Sequence, residues 1–455
     1  MTAAPGTAPG EIWNAPPATG PLAATVSVPG SKSLTNRFLV LAALADGPVT
    51  IRGALASRDS SLMIGALDAL GIGVSTADPD AWVVTPGPLE GGGRIDCGLA
   101  GTVMRFVPPL VLLADGPVSF DGDEGARVRP MGPLLGALRD IGATVDDGGT
   151  GTLPFTVTPV PEASTASGEI FTALPDVAPP VISSVSLDSS GSSQFVTGLL
   201  MVAARLPHGL EIRHTGETLP SLPHIDMTVA TLRDAGVRVD QPDERTWIVH
   251  PGALHVGSVR VEPDLSNAGP FLAAALVAGG SVSIPGWPSA TTQPGALFPE
   301  ILERMGASVS LEGDVLTVTG TGAIAGIEAD LGAAGEITPT IAALCALASG
   351  PSKLTGIGHL RGHETDRLAA IAAEVERLGG VCDEGEDWLE FGGMPAEGLR
   401  PAVMETYHDH RMATFAAILG LAIPGLQVRD IATTSKTMPN FPAMWATMLS
   451  ETAPE

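Results

Sequence analysis

The stretch Leu67-Asp68-Ala69-Leu70-Gly71, followed by an alternating strand around Val74 and a second strand opened by Trp82, carries the pattern that decides the fold. It is typical of an amphipathic helix with a left-handed C-cap, a position that glycine suits. The period-2 alternation that follows predicts a half-buried strand. A single copy of this pattern is common in any α/β protein.

The same pattern returns four more times along the chain. The further copies are Leu138 to Gly142 with Val145, Leu232 to Gly236 with Val239 and Trp247, Leu302 to Gly306 with Val309, and Val375 to Gly379 with Val381 and Trp388. Periods of roughly 70 to 90 residues are those of supersecondary units rather than of short solenoid repeats. Five copies therefore predict a repeated α/β architecture.

Two breaks divide the repeats into two blocks. They lie near Val28-Pro29-Gly30 and at Val261-Glu262-Pro263-Asp264. We therefore expect a discontinuous first domain of residues 1–29 and 262–455 and a second domain of residues 30–261, with the active site in the cleft between them. Residues 1 to about 20 are expected to be a loose lead-in. Helical segments that are apolar nearly all round are expected to be buried beneath sheets, namely 271–277, 340–348 and 413–421.

Composition limits the class of function. The 455 residues are 44% hydrophobic, which is ample for large cores, and carry a formal charge of -26. Such a charge argues against a nucleic-acid partner, because phosphate backbones need an electropositive face. No run of about 18 apolar residues predicts a membrane span.

The three cysteines are Cys97, Cys345 and Cys382. They lack metal-ligand spacing, so we expect no structural zinc. Their odd number, without a signal peptide, favours a cytoplasmic protein.

Lysine is scarce, which makes its positions informative. The chain has three lysines and 21 arginines, and Lys32 and Lys436 each lie in a short hydroxyl-rich motif. Lys353 lies in a polar turn typical of the surface. Pro29 to Ser33 predicts a helix start whose free amides suit an anion. It is not a phosphate loop of the Walker type, because Ser31 separates the glycine from Lys32.

Other segments pose the same choice between a structural and a ligand-binding role. Gly98 to Arg105 and Asp188 to Gln194 are further helix starts that suit either a cap or a bound anion. His363 to Arg367 and His408 to Arg411 are ionisable clusters in a chain that is only 16% charged. Neither cluster has common metal-ligand spacing, so structural salt bridges are the alternative to a substrate site.

Taken in order, these motifs closely resemble the EPSP synthase family of enolpyruvyltransferases. The matching motifs are Pro-Gly-Ser-Lys-Ser at 29–33, Ala-Gly-Thr-x-Met-Arg at 100–105, Ser-Ser-Gln-Phe at 192–195, His-Glu-Thr-Asp-Arg-Leu at 363–368, Asp-His-Arg-Met-Ala at 409–413 and Ser-Lys-Thr-x-Pro at 435–439. The resemblance runs from about residue 22 to the C-terminus. It implies an α/β fold of two inside-out barrel domains, each with three βαβαββ units around buried helices, that close by a hinge near Pro29 and Glu262.

The resemblance also implies an activity and a set of site residues. Such enzymes transfer the enolpyruvyl group of phosphoenolpyruvate to the 5-hydroxyl of shikimate 3-phosphate in aromatic amino acid biosynthesis, without metal or organic cofactor. The implied catalytic residues are Glu336, Glu364 and Lys32. The implied shikimate 3-phosphate site is Lys32, Ser33, Arg37, Ser192, Ser193, Gln194, Ser221, Glu336 and His363. The implied phosphoenolpyruvate site is Lys32, Gly101, Arg129, Arg367, Arg411 and Lys436, with Arg127 as an alternative to Arg129. The implied protein is a cytoplasmic monomer.

Several positions depart from the family pattern. His363 replaces a frequent lysine, so its charge near neutral pH depends on its surroundings. Glu336 replaces the more common aspartate as general base and is one methylene longer. The remaining departures are His224 for tyrosine, Leu99 for asparagine and Phe106 for proline. We expect them to adjust substrate geometry without changing the reaction. Gly101 and Thr102 match the pattern of relatives sensitive to the herbicide glyphosate, while Phe106 leaves sensitivity open.

Three other functions are considered. The sister enolpyruvyltransferases that act on UDP-N-acetylglucosamine typically carry Lys-Asn at the first motif and a loop cysteine. Here Ser33 follows Lys32, and the corresponding loop, Gly122 to Pro130, has no cysteine. A non-catalytic anion-binding protein would not require both Glu336 and Glu364. An NTPase is disfavoured by the failed Walker spacing.

Overall fold

The structure is a computed structural model that describes residues 10–159, 183–362, 364–393 and 398–453. The chain forms two compact units. One contains residues 30–261, here the continuous unit, and the other contains residues 1–29 and 262–455, here the discontinuous unit.

The described residues form strands and helices that are numbered in chain order. The strands are β1 Ile12–Asn14, β2 Leu22–Thr25, β3 Val49–Arg52, β4 Gly73–Ser75, β5 Ala81–Thr85, β6 Arg94–Asp96, β7 Val118–Asp121, β8 Thr144–Asp146, β9 Phe155–Thr158, β10 Ser183–Leu187, β11 Leu210–His214, β12 Val239–Asp243, β13 Thr246–Val249, β14 Ser258–Arg260, β15 Gly280–Pro285, β16 Ser308–Glu312, β17 Val315–Gly320, β18 Glu328–Asp330, β19 Ser352–Thr355, β20 Cys382–Glu384, β21 Leu389–Phe391, β22 Val403–Met404 and β23 Gln427–Arg429. The α-helices are α1 Lys32–Ala43, α2 Arg58–Asp68, α3 Gly101–Phe106, α4 Glu124–Arg127, α5 Gly132–Ile141, α6 Gln194–Ala203, α7 Leu222–Asp234, α8 Leu265–Ala278, α9 Phe298–Arg304, α10 Thr338–Leu347, α11 Arg367–Arg377, α12 His410–Ala422 and α13 Phe441–Ser450. Short 3-10 helices cover Pro108–Leu113, Pro294–Leu297, Gly335–Ile337, Gly358–Gly362 and Ile431–Lys436.

Within the part of the chain described, the continuous unit has three sheets of one design. Their strand orders are β14-β3-β5-β4, β6-β7-β9-β8 and β10-β11-β13-β12. In each sheet the first two strands are parallel and the other pairs are antiparallel. Helix α3 connects the parallel strands β6 and β7, and helix α6 connects β10 and β11, whereas β14 joins β3 from the far end of the unit. The repeated unit is therefore βαβαββ, as predicted.

The discontinuous unit repeats this design in β2-β15-β17-β16 and β18-β19-β21-β20, and adds a three-stranded sheet, β1-β23-β22. Strand β1 shows that the predicted loose lead-in over residues 1 to about 20 is wrong for residues 12–14, which pair antiparallel with β23. Ala15 explains the attachment: its amide donates to the carbonyl of Leu426 at 3.0 Å, and its side chain is buried.

The glycines that end the five helices of the repeat adopt a left-handed backbone conformation, as predicted. Their φ angles are 81° at Gly71, 111° at Gly142, 87° at Gly236, 105° at Gly306 and 84° at Gly379. Each glycine lets the chain turn from a helix into the next strand without the steric cost that a Cβ would bring. Two predicted strand positions shift, because Val381 and Trp388 each lie one residue before their strand.

The helices that place the functional motifs are buried, as their sequences predict. All residues of α10 are buried, as are Phe195 to Ala203 of α6. A Cβ on Gly198 of α6 would lie 2.1 Å from the carbonyl oxygen of Arg105, so glycine allows α6 and α3 to approach closely. No helix in the described ranges combines the length and apolar character needed to cross a membrane.

Candidate active site

The start of α1 presents Lys32 as a partly exposed cation. Ser31 caps the helix by accepting a hydrogen bond from the backbone of the first turn. Gly30 is required here, since a Cβ would lie 2.1 Å from the carbonyl oxygen of Gly53. The Nζ of Lys32 lies 3.4 Å from Oδ2 of the buried Asp59. Asp59, which lies outside the sequence motifs, therefore orients the lysine.

Arg37 is buried and ties α1 to α7. Its Nε donates to Oγ1 of Thr228 at 2.8 Å, its Nη2 to the carbonyl of His224 at 2.9 Å, and its Nη1 to the carbonyl of Ser33 at 3.0 Å. The guanidinium also lies over the ring of Phe106, 5.3 Å from its centroid. These contacts fix the backbone at Ser33. The residue is 1% exposed, so a direct substrate contact by Arg37 stays a prediction.

Two guanidinium groups converge on Gly101 at the start of α3. A Cβ there would lie 2.8 Å from Nη1 of Arg105, 3.4 Å from Oε1 of Gln194 and 3.8 Å from Nη1 of Arg129. Arg105 donates to Oε1 of Gln194 at 3.2 Å, and Arg129 donates to the carbonyl of Leu99 at 3.2 Å. Glycine thus leaves room where cationic and amide groups meet, an arrangement that suits an anion. Arg105 lies in the motif at 100–105, but no role is predicted for it from the sequence.

Arg127 and Arg129 differ in surroundings. The Nε and Nη2 of Arg127 both donate to Asp121 at 2.9 Å, and its side chain is 50% exposed. Arg129 instead points toward Gly101. The geometry therefore favours Arg129 for the assigned role.

The predicted phosphate-binding serines lie at two helix starts. Ser193 is buried at the N-cap of α6, and Oγ of Ser192 accepts from the amide of Gln194 at 3.3 Å. Ser221 precedes α7 with a φ of 54°, a left-handed conformation that is unusual for a residue with a Cβ. Strained backbone of this kind concentrates at ligand sites. Helix starts that carry hydroxyl groups suit a phosphate group.

The discontinuous unit places Glu336 in the 3-10 helix before α10. Its Oε2 accepts from Oγ of Ser266 at 3.0 Å and from Nη2 of Arg411 at 3.2 Å. These two donors hold the carboxylate in place. The Glu336 side chain is 23% exposed, so the carboxylate remains accessible to a ligand. Gly335 packs tightly on His359, because a Cβ would lie 2.3 Å from the imidazole Nε2.

Glu364 joins the two remaining cations of the predicted set. Its Oε1 accepts from Nζ of Lys436, and its Oε2 accepts from Nη2 of Arg367 at 3.0 Å. Arg367 in turn donates from Nε to Oδ2 of Asp409 at 2.7 Å. Asp409 is fully buried and caps α12 by accepting from the amide of Arg411 at 2.8 Å. The structure thus brings together residues from three separate motifs.

This network is charge-balanced. Its members are the carboxylates Glu336, Glu364 and Asp409 and the cations Arg367, Arg411 and Lys436. Burial alone would lower the pKa of Arg367, but Asp409 and Glu364 outweigh that effect and raise it. Burial lowers the pKa of the neighbouring His359, and Arg367 adds to the effect.

His363, predicted to bind the shikimate ester, lies outside the described residues. In the ranges that the structure covers, no group of three His, Cys, Asp or Glu side chains is arranged to hold a metal ion.

Comparison with known proteins identifies the family. A model of the EPSP synthase (3-phosphoshikimate 1-carboxyvinyltransferase) family matches residues 17–445. The 3-phosphoshikimate 1-carboxyvinyltransferase of Bifidobacterium longum (strain DJO10A) is 54% identical over 453 residues, which cover 97% of this chain and 98% of that protein. The enzyme of the same name from Kocuria rhizophila (strain ATCC 9341 / DSM 348 / NBRC 103217 / DC2201) is 52% identical and covers 96% and 97%.

Solved structures share the fold. EPSP synthase from Acinetobacter baumannii has a TM-score of 0.76 at 22% identity and covers 96% of this chain and 98% of that one. The enolpyruvyl transferase NikO from Streptomyces tendae has a TM-score of 0.69 at 20% identity, with coverage of 97% and 98%. At these identities the likeness concerns the fold alone. The family match and the two relatives above half identity show that this chain belongs to the EPSP synthase family, as its motifs predict.

Proposed function

We propose that this chain transfers the enolpyruvyl group of phosphoenolpyruvate to the 5-hydroxyl of shikimate 3-phosphate, releasing phosphate and 5-enolpyruvylshikimate 3-phosphate. One observation carries the proposal. Each of the two predicted proton-transfer carboxylates is paired with a cation predicted to bind phosphoenolpyruvate, Glu336 with Arg411 and Glu364 with Arg367 and Lys436. These pairs support a reaction in which proton transfer and anion binding occur in one network.

The binding roles follow the predicted sets. Shikimate 3-phosphate is bound by Lys32, Ser33, Arg37, Ser192, Ser193, Gln194, Ser221, Glu336 and His363. Phosphoenolpyruvate is bound by Lys32, Gly101, Arg129, Arg367, Arg411 and Lys436. Helix-start amides and hydroxyls suit the ester phosphate. Guanidinium forks suit the carboxylate and phosphate of the donor.

The reaction proceeds by addition and elimination. Glu336 accepts the proton of the 5-hydroxyl as its oxygen attacks C2 of phosphoenolpyruvate, and Glu364, in its protonated form, donates a proton to the methylene carbon C3. The product of these steps is a tetrahedral intermediate. In the elimination step C3 returns a proton to Glu364, the C2–O bond to phosphate breaks, and the C2–C3 double bond forms again. The proton that Glu336 took from the 5-hydroxyl passes to the departing phosphate, which returns Glu336 to its carboxylate form. Lys32, Arg367, Arg411 and Lys436 stabilise the negative charge on the departing phosphate.

The cysteines distinguish this proposal from the sister activity. All three lie buried, and burial raises the pKa of the thiols of Cys97, Cys345 and Cys382 to about 12. Such thiols are poorly suited to act as the loop acid expected in enzymes specific for UDP-N-acetylglucosamine.

The test measures phosphate release by purified protein given phosphoenolpyruvate with either shikimate 3-phosphate or UDP-N-acetylglucosamine. Release only with the shikimate ester is expected. Release only with the sugar nucleotide would assign the sister activity, and no release with either acceptor would favour an anion-binding protein. The cytoplasmic location, the monomeric state and the response to glyphosate stay predictions.

A further inference from the structure

Two consecutive non-glycine residues lie in the left-handed backbone region just before Asp409. Tyr407 has a φ of 54° and His408 a φ of 57°. Side chains with a Cβ disfavour this region, so surrounding contacts must hold such a pair in place. The amide of Asp409 donates to the carbonyl of Thr406 at 2.8 Å and closes the turn. The turn 406–409 therefore leads directly into the start of α12.

Glu374 of α11 holds this turn from a buried position. Its side chain is fully buried, and its Oε1 accepts from the hydroxyl of Tyr407 at 2.8 Å. Its Oε2 accepts from the backbone amide of Glu405 at 3.2 Å, and Nε of Arg377 donates to both oxygens at 3.2 and 3.1 Å. The buried carboxylate is thus satisfied by a cation, a phenol and an amide.

Helix α11 contacts the segment at two points. Arg367 and Glu374 are seven residues apart, which places them two turns apart on one helix face. Arg367 binds Asp409, while Glu374 binds the backbone of Glu405 and the side chain of Tyr407. The strained turn lies between these two points of attachment.

We propose that Glu374 and Tyr407 form a clamp that holds the turn 406–409 and thereby orients Asp409 and Arg411. Both are positioning residues, and neither belongs to the predicted substrate-binding sets. The inference rests on the proposed function, in which Arg411 binds phosphoenolpyruvate. If the clamp releases, the start of α12 loses its orientation. Affinity for phosphoenolpyruvate, which Arg411 binds directly in the proposed function, then falls more than affinity for shikimate 3-phosphate, which Arg411 reaches only through Glu336.

The first test separates the two substrates. Tyr407→Phe and Glu374→Gln each remove one side of the contact, and Glu390→Gln is the matched control because Glu390 forms an exposed pair with Lys353 at 2.9 Å. We expect the KM for phosphoenolpyruvate to rise about tenfold in both clamp variants, the size expected when a hydrogen bond to a buried charge is lost. The KM for shikimate 3-phosphate should stay within about twofold.

A compensating variant distinguishes positioning from general loss of stability. Glycine adopts a positive φ without steric cost, and the His408 side chain is 90% exposed. His408→Gly in the Tyr407→Phe background should therefore restore much of the affinity for phosphoenolpyruvate. A merely structural role for the tyrosine would leave that affinity low or reduce it further.

The chain contains a single tyrosine, which allows a readout without substrate. Burial, together with the hydrogen bond to Glu374, raises the pKa of Tyr407. Absorbance of tyrosinate near 295 nm should therefore titrate at lower pH in Glu374→Gln than in wild type, and should be unchanged in Glu390→Gln. Amide exchange across 404–411, followed by mass spectrometry, should be faster in both clamp variants.

Two kinetic results would contradict the clamp proposal. An unchanged KM for phosphoenolpyruvate in Tyr407→Phe, or equal rises for both substrates, would overturn the clamp. If the wild type releases no phosphate with either acceptor, the proposed function fails. The tyrosinate titration and the amide exchange, which need no substrate, then test whether Glu374 and Tyr407 hold the turn. In that case faster exchange with a shifted tyrosinate titration supports the clamp, and unchanged values overturn it.

Discussion

Two arginines of the continuous unit are held differently from three cations of the discontinuous unit. In the continuous unit Arg105 and Arg129 donate to neutral oxygens, the amide of Gln194 and the carbonyl of Leu99. In the discontinuous unit Arg367, Arg411 and Lys436 donate to carboxylates. A neutral acceptor leaves a cation's charge available to an incoming anion, whereas a carboxylate competes for it.

The difference indicates a division of work. Cations bound to neutral oxygens suit tight anion binding, and a balanced carboxylate–cation network suits proton transfer, because its charges are already ordered before the reaction. The network also needs every member, since removing one partner of a buried pair strands the other. Variants in the two units should therefore fail in different ways.

Glu336→Gln and Glu364→Gln test whether the carboxylates of the discontinuous unit transfer protons or merely balance charge. If they transfer protons, kcat should fall about 10²- to 10⁴-fold in each variant, the usual contribution of a positioned acid or base. If they only balance charge, the freed cations should bind phosphoenolpyruvate at least as tightly and kcat should change little. Steady-state kinetics of phosphate release would separate these outcomes, with Glu390→Gln as the exposed control.

Arg367→Met and Arg129→Met test the two modes of cation binding directly. Arg367 is 2% exposed in its side chain, and its loss strands Glu364 and Asp409, so the free energy of unfolding should fall by about 3–5 kcal/mol. Arg129→Met should change that free energy by less than about 0.5 kcal/mol. Its KM for phosphoenolpyruvate should instead rise roughly 10- to 100-fold, as when a hydrogen bond to a charged group is lost.

Urea unfolding and steady-state kinetics measure the two effects. Arg94→Met is the control, because the Arg94 side chain is 76% exposed and pairs with Asp121. Equal destabilisation by Arg367→Met and Arg129→Met would remove the distinction between the two units.

Gly101→Ala tests the space that the continuous unit keeps for an anion. The new Cβ would lie 2.8 Å from Nη1 of Arg105, so this guanidinium must shift, and the KM for phosphoenolpyruvate should rise about tenfold. Stability should change by less than about 1 kcal/mol, because the contact is with the end of a flexible side chain. Gly136→Ala in α5 is the control, since its Cβ would meet no heavy atom within 4 Å. An unchanged KM would mean that the anion does not bind at this point.

The fold was largely predictable because its signals are local. Glycines at helix ends and the following alternation lie within a few residues of each other, and all five predicted C-caps have a positive φ. Strand β1 was missed because its partner, β23, lies at the other end of the chain. Three residues carry too little alternation to indicate a strand by themselves.

The site was predictable in its residue types but not in its pairings. Motifs identified Glu364, Arg367 and Lys436, yet the pairs that join them are contacts between distant segments. Asp59 and Glu374 lie outside every motif for the same reason, and Asp409 lies within one but has no role predicted for it. A buried carboxylate next to a cation has no local signature, because burial is decided by the elements packed around it.

The smallest effect that we expect is on the pH dependence of stability, and it involves one buried histidine in each unit. Burial lowers the pKa of His214 in the continuous unit and of His359 in the discontinuous unit. The unfolded chain therefore binds more protons between each folded pKa and about 6.5, the ordinary value. Stability from these groups is fully present above about pH 6.5 and is lost as the pH falls toward the folded values.

Replacing either histidine should make the apparent Tm less dependent on pH between 8 and 5.5. His359→Gln should reduce the loss in stability at low pH, and His214→Gln should reduce it separately. Circular dichroism melts at a series of pH values would measure both, with the exposed His208→Gln as control. Because His359 lies beside Arg367, which also lowers its pKa, Arg367→Met should weaken the contribution of His359 and leave that of His214 intact. Equal changes for both histidines in that background would show that this part of the pH response does not arise within the network of the discontinuous unit.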